Sequence, residues 1–149
     1  AGAAIAGAVE KNKVPYVVML SSFGANLNEE TGVLLGLYDL EQRFNAISGL
    51  NAFYLRPGFF FENFFGMAAT IEPMGIMGGF PIKGDLAMPM IHTQDIAQVA
   101  TEKLLNLDFT GKQAAFLAAE KDYTLSEAVA ILGKAMGKPQ LPYVQFPYD

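Results

Sequence analysis

Apolar and polar positions fall into blocks along the chain, and each block has the length and period of one structural element. Ala1 to Glu10 is Ala- and Gly-rich and closes on Lys11-Asn12-Lys13, which suits a helix or the tail of one. Val14 to Leu20 (VPYVVML) has hardly a polar residue, so it predicts a strand buried on both faces, the habit of a parallel sheet. Ser21-Ser22-Phe23-Gly24 then ends it in a loop. From Thr31 to Ile47 the apolar residues Val33, Leu34, Leu37, Leu40, Phe44 and Ile47 recur at the spacing of one helical face. Ser48-Gly49 stops that helix. Asn51 to Leu55 (NAFYL) predicts a second buried strand, ended by Arg56-Pro57-Gly58.

Phe59 to Met67 (FFFENFFGM) reads as a short aromatic helix, and Ala68 to Ala87, rich in Gly and Pro, as irregular chain. Met88 to His92 is expected to form a brief strand. Thr93 supplies an N-cap and Asp95 a negative charge in the first turn of a helix to about Leu107. Lys112 to Ala118 predicts another strand. Thr124-Leu125-Ser126-Glu127 is a capping box opening a helix to about Met136, terminated by Gly137 and Pro139. Tyr143 to Phe146 is expected as a last edge strand. Strands separated by helices of this length imply parallel crossover units and an α/β layered sheet.

Three stretches carry a family resemblance: Gly36-Leu37-Tyr38-Asp39-Leu40-Glu41, Ser48-Gly49-Leu50-Asn51, and Leu55-Arg56-Pro57-Gly58-Phe59-Phe60-Phe61-Glu62-Asn63. Together they resemble the NmrA-like branch of the atypical short-chain dehydrogenase/reductases. Val17 to Ser22, His92 to Ala97 and Thr124 to Gly137 extend the likeness over nearly the whole chain, with the Arg-Pro-Gly-x-Phe-x-Glu-Asn run as its most specific marker. The resemblance implies the C-terminal portion of a Rossmann-like doubly wound parallel sheet, with residues 1–66 as the second half of the sheet and 67–149 as a small substrate-side α/β lobe. It further implies an NAD(P)-dependent oxidoreductase of quinone or small-carbonyl type, NAD(P) as cofactor and a small-molecule substrate. The Gly-rich phosphate loop of that family precedes the matched stretches. Within these 149 residues no strand runs into Gly-x-Gly-x-x-Gly, and Gly75, Gly78 and Gly79 lack the third spacing. The chain is therefore expected to be inactive by itself.

Composition narrows the alternatives. Fifteen acidic against ten basic residues give a formal charge of -5, which argues against nucleic acid and against a polybasic membrane surface. The absence of Cys and the single His exclude disulfide, thiolate and multi-histidine metal sites. No run reaches the roughly 18 to 20 apolar residues of a spanning helix, and the first residues lack a basic leader, so a cytoplasmic setting is expected. With 52% hydrophobic and only 17% charged residues, the chain is expected to hide an apolar sheet edge, as a homodimer or higher oligomer or beneath further sequence.

Candidate site residues follow from the likeness and from strand ends. Ser21 and Ser22 stand where ligands bind, outside the carboxyl end of a strand, although Ser also serves ordinary turn chemistry there. Pro57, Gly58 and Phe59 are the counterparts after the second strand, where Gly58 permits close approach of a flat nicotinamide ring. Phe60, Asn63 and Met88 are assigned to a substrate pocket. Three successive Phe cannot all face one side of a helix, so at least one meets a pocket or partner. Tyr38 is the one candidate general acid, but a Tyr-x-x-x-Lys relay needs a lysine four residues on. Gln42 stands there, and no Lys lies between Lys13 and Lys83. Arg56, Glu62 and Asn63, polar among apolar neighbours, predict a buried hydrogen-bond network. His92 and Asp95 read as helix-start residues, and Met67, Met74, Met77, Met88 and Met90 suit either a core or an adaptable pocket.

Overall fold

A computed structural model describes residues 1–29 and 32–147. In chain order the elements are α1 (Gly2–Lys11), β1 (Tyr16–Leu20), a 3-10 turn (Gly32–Leu34), α2 (Leu35–Ala46), β2 (Asn51–Pro57), β3 (Phe59–Phe60), α3 (Asn63–Ala68), α4 (Ile71–Met74), β4 (Met77–Gly78), β5 (Ala87–Met88), β6 (Met90–Ile91), α5 (Thr93–Asn106), β7 (Lys112–Leu117), β8 (Tyr123–Thr124), α6 (Leu125–Ala135) and β9 (Tyr143–Val144). They divide into two compact units, residues 1–58 with 94–117, and residues 59–93 with 118–149. Residues 66 and 67 both lie in α3, near the start of the second unit.

The first unit is built on a three-stranded sheet in the order β1-β2-β7. Both pairings are parallel, Tyr16 opposite Asn51 through Leu20 opposite Leu55, and Ala52 opposite Lys112 through Pro57 opposite Leu117. Parallel neighbours need long crossovers, which is why α2 lies between β1 and β2. Central β2 is buried from Ala52 to Leu55, as its unbroken apolar run predicts. The same expectation fails for β1, where only Met19 is buried and Leu20 is 53% exposed, because among the described residues β1 is an edge strand with a neighbour on one side alone.

One face of this sheet packs Met19, Ala52 and Tyr54 against Ala6 of α1 and Phe44 of α2. Removing a ring of this kind from such a core costs about 3–5 kcal/mol. On β2, Phe53 meets the buried Phe109, with Tyr16 edge-on to the same ring. The periodic stretch expected to be helical from Thr31 begins as the 3-10 turn at Gly32 and becomes α2 at Leu35; Thr31 itself lies outside the described residues. Gly49, at φ +76, takes the left-handed turn after α2 that a side chain would resist.

In the second unit the expected helix over Phe59–Met67 gives way to a strand. Phe59 and Phe60 pair in parallel with Met90 and Ile91, and only at Asn63 does α3 begin. The backbone explains it: Phe59 and Phe61 donate their N–H groups to Pro89 and Ile91, so neither enters a helical turn. Phe59 packs against the rings of Phe64 and Phe80, and Phe61, just past the end of β3, against Tyr123. The strand expected from Met88 to His92 is split at Pro89, which lacks an N–H, into β5 pairing antiparallel with β8 and β6 pairing with β3. Within the stretch expected to be irregular, α4 forms one turn and β4 pairs in parallel with β9. Gly78 lies there against the Val144 carbonyl and the Phe146 ring, where a side chain would not fit, while Gly75 takes the left-handed turn that closes α4. The capping box is present in full, Glu127 N–H donating to Thr124 Oγ1 and Thr124 N–H to Glu127 Oε2. Phe64, Met67, Ile71, Met77, Met90, Leu125 and Val129 form this unit's core.

Candidate functional site

The first unit gathers a buried polar network at the carboxyl ends of β1 and β2. Leu20 pairs with Leu55, and the next residue, Ser21, donates its N–H to the Leu55 carbonyl at 2.7 Å. Its hydroxyl donates to Glu41 Oε1 at 2.5 Å. Arg56 completes the carboxylate's partners, Nη2 to Oε2 at 2.5 Å and Nε to Oε1 at 3.1 Å. Glu41 is wholly buried and Arg56 nearly so. A charge withdrawn from water this far needs an opposite charge and filled hydrogen bonds, and it has both. The Phe116 ring lies 5.7 Å from the guanidinium carbon, and Phe23 packs edge-on against Phe116. Tyr54 lies beside the network, its hydroxyl donating to Asn45 Oδ1 at 2.9 Å. Burial pushes the Tyr54 phenol up to about 12, and the neighbouring Glu41 carboxylate adds to the effect.

The residues assigned to a cofactor from the sequence occupy these strand ends. Ser22 is half-buried with its hydroxyl on the Phe23 carbonyl, 3.1 Å away. Pro57 is buried, and Gly58 is half-buried. Of the backbone N–H groups at these strand ends, Phe23 donates to the Pro57 carbonyl and Gly58 to that of Leu117. This rim therefore presents the Ser22 hydroxyl and apolar surface, while the Ser21 hydroxyl is taken up by Glu41. Tyr38 is half-buried on α2.

The second unit contains a cavity of about 650 Å³. Phe64, Phe65 and Ala68 of α3 and Ala128, Ile131 and Leu132 of α6 form most of its wall, with Glu62 and His92 as polar members. Phe60, Asn63 and Met88, assigned to a substrate pocket from the sequence, flank residues of this lining without belonging to it. Glu62 Oε1 accepts the N–H of Thr93 at 2.9 Å and its hydroxyl at 2.5 Å. Thr93, expected as the N-cap, is the first helical residue of α5 and leans on Glu62. The Thr93 hydroxyl holds the Glu62 carboxyl below the ordinary carboxylate range, so it is ionised at neutral pH. Its second oxygen, Oε2, is buried and meets no hydrogen-bond donor. His92 Nδ1 lies 3.4 Å from Oε1.

Parallel strands joined by helical crossovers, with polar residues gathered at the strands' carboxyl ends, define a Rossmann-like α/β fold. No protein-family model and no curated protein sequence matches the chain. Solved structures do. A nucleoside-diphosphate-sugar epimerase from Staphylococcus aureus superposes over 99% of this chain at TM-score 0.77 and 20% identity. An Escherichia coli NADPH-dependent quinone oxidoreductase complexed with NADPH does so over 98% at 0.80 and 24% identity. The UDP-glucose 4-epimerase of Bifidobacterium longum, in complex with NAD+ and UDP, gives 98%, 0.72 and 16%. The chain spans 50% of the first two structures and 56% of the third, about half the length of the proteins it matches.

Two features of the site escaped the sequence reading. Glu41 was legible in principle, since it sits four residues after Leu37 and three before Phe44, on the apolar face of α2, where a charge demands a partner. The cavity was not, because the lining residues of α6 lie 60 or more positions from those of α3.

Proposed function

We propose that these residues belong to an NmrA-like NAD(P)-dependent oxidoreductase of the quinone or small-carbonyl reductase type. In this reading the chain contributes the nicotinamide side of the cofactor site through Ser21, Ser22, Pro57 and Gly58. The observation that carries the proposal is the alignment of Ser21-Ser22 and Pro57-Gly58 at the carboxyl ends of two adjacent parallel strands, pinned by Glu41. The Ser22 hydroxyl and apolar rim suit a flat ring that gives or takes a hydride, and the phosphate cradle is assigned to sequence outside these 149 residues. NAD(P) bound there supplies the hydride; the chain's own part is to hold the ring and keep water from it. The substrate pocket is assigned to Phe60, Asn63 and Met88.

A second reading keeps the nucleotide and drops catalysis, and Gln42 four residues after Tyr38 favours it, since the usual proton relay has no lysine. Calorimetric titration with NADH and NADPH, followed by NADPH-consumption assays with benzoquinones, naphthoquinones and small aldehydes, separates the two. Binding with turnover supports the reductase, and binding without turnover supports a dinucleotide-sensing or partner-binding protein. No binding, either by these 149 residues or by the same residues joined to the phosphate cradle that the reading requires, overturns both. We also assign homodimer formation to the open edge of β1. Sedimentation showing a monomer at every concentration the protein can be brought to would remove that assignment.

A further inference from the structure

The cavity of the second unit has the size and lining of a small-molecule site, and one feature of its wall selects the ligand. Its volume, about 650 Å³, falls in the range of drug-sized ligand pockets. Phe61, Phe64, Phe65 and Leu132 give it apolar and aromatic walls, and Glu62 is the carboxylate among them. Glu62 Oε1 is occupied by both donors of Thr93, while Oε2 meets no donor. Buried polar atoms are nearly always partnered, so an orphaned carboxylate oxygen beside an apolar cavity is a place prepared for a donor. The terminal torsion of a glutamate is soft, so a small turn of the carboxylate presents Oε2 to a donor arriving in the cavity, with Oε1 shifting slightly against Thr93.

We propose that this cavity binds an apolar, ring-containing small molecule bearing one hydrogen-bond donor, a hydroxyl or an amine, and that Glu62 Oε2 receives that donor. The site stands on the second unit alone and does not depend on the hydride-transfer reading. A carboxylate there repels ligands ending in an acceptor or an anion, so the pocket discriminates by the polarity of one substituent.

Four matched bicyclic probes test it without nucleotide: 2-naphthol and 2-naphthylmethylamine as donors, 2-methylnaphthalene with no polar group, and 2-naphthoate as an anion. The protein has no Trp, so naphthalene fluorescence is read on a low background. Both donor probes are expected to bind at least fivefold more tightly than 2-methylnaphthalene, and 2-naphthoate more weakly than any of them. Glu62→Gln is expected to compress that ranking to within about twofold, the amide serving donor and acceptor alike. Ala68→Phe fills the cavity away from the hydrogen bonds and is expected to weaken every probe tenfold or more while the melting temperature is kept. Equal affinity for 2-naphthol and 2-methylnaphthalene, or undiminished binding in a folded Ala68→Phe protein, would overturn the proposal. Should Glu62→Gln fail to fold, the wild-type ranking and Ala68→Phe decide it.

Discussion

Arg56 closes on Glu41 in a two-point ion pair, Nη2 to Oε2 and Nε to Oε1, on a carboxylate with no exposed surface. Such a pair recovers its desolvation only while both members are present. Glu41→Ala or Arg56→Ala is expected to destabilise the fold by about 3–5 kcal/mol, measured by urea unfolding. The double replacement Glu41→Leu with Arg56→Met removes both charges at once and is expected to recover most of that loss. If the single and double variants are equally unstable, the pair is not what makes them so.

Ser21 and Ser22 are adjacent but answer to different masters. Ser21→Ala removes a donor from a buried carboxylate and is expected to cost about 1–3 kcal/mol. Ser22→Ala touches only its neighbour's carbonyl and is expected to stay within about 0.5 kcal/mol of wild type. On the oxidoreductase reading, Ser22→Ala weakens NADPH severalfold in calorimetry. Unchanged affinity would take Ser22 out of the cofactor set.

Tyr54 gives a pH signature at the alkaline end. Its folded phenol titrates at about 12, above the unfolded value near 10. The contribution is therefore complete below pH 10 and is lost as pH rises toward 12, because the unfolded chain releases its proton first. It is on the order of 2 kcal/mol. Absorbance of tyrosinate at alkaline pH is expected to show a late component that Tyr54→Phe deletes, and the variant's stability is expected to fall less steeply over that window.

The capping box of α6 gives one at the acid end. Thr124→Ala is expected to cost about 1 kcal/mol in thermal unfolding. The Thr124 backbone and side chain hold the Glu127 carboxyl below its ordinary value. Its stabilisation is thus present above the unfolded pKa near 4.3 and is lost as pH falls through the depressed folded value. Glu127→Gln is expected to flatten part of the acid limb of stability, and an unaltered limb would place the acid sensitivity elsewhere.

The readings that held were those fixed by local patterning. β2 follows from an unbroken apolar run, α6 from a Thr124–Glu127 box followed by helical spacing, and parallel pairing from the helix between two such runs. Where pairing partners lay far away, local pattern misled. FFFENFFGM has the composition of an aromatic helix, yet the carbonyls of Pro89 and Ile91 take the N–H groups of Phe59 and Phe61 and make it a strand first. Met88 to His92 looked like one strand until Pro89 withheld an N–H.

By itself the sequence determined the period of β2, α2, α5 and α6, the polar residues at the ends of β1 and β2, and the capping box of α6, since all of these depend on neighbours within a few positions. Tertiary structure alone decided that Glu41 meets Ser21 and Arg56, that β1 is left at an edge, and that Glu62 braces Thr93 while keeping one oxygen without a donor. Those outcomes depend on which distant groups fill a carboxylate's shell or a strand's open side. Spacing along the chain carries no record of that choice.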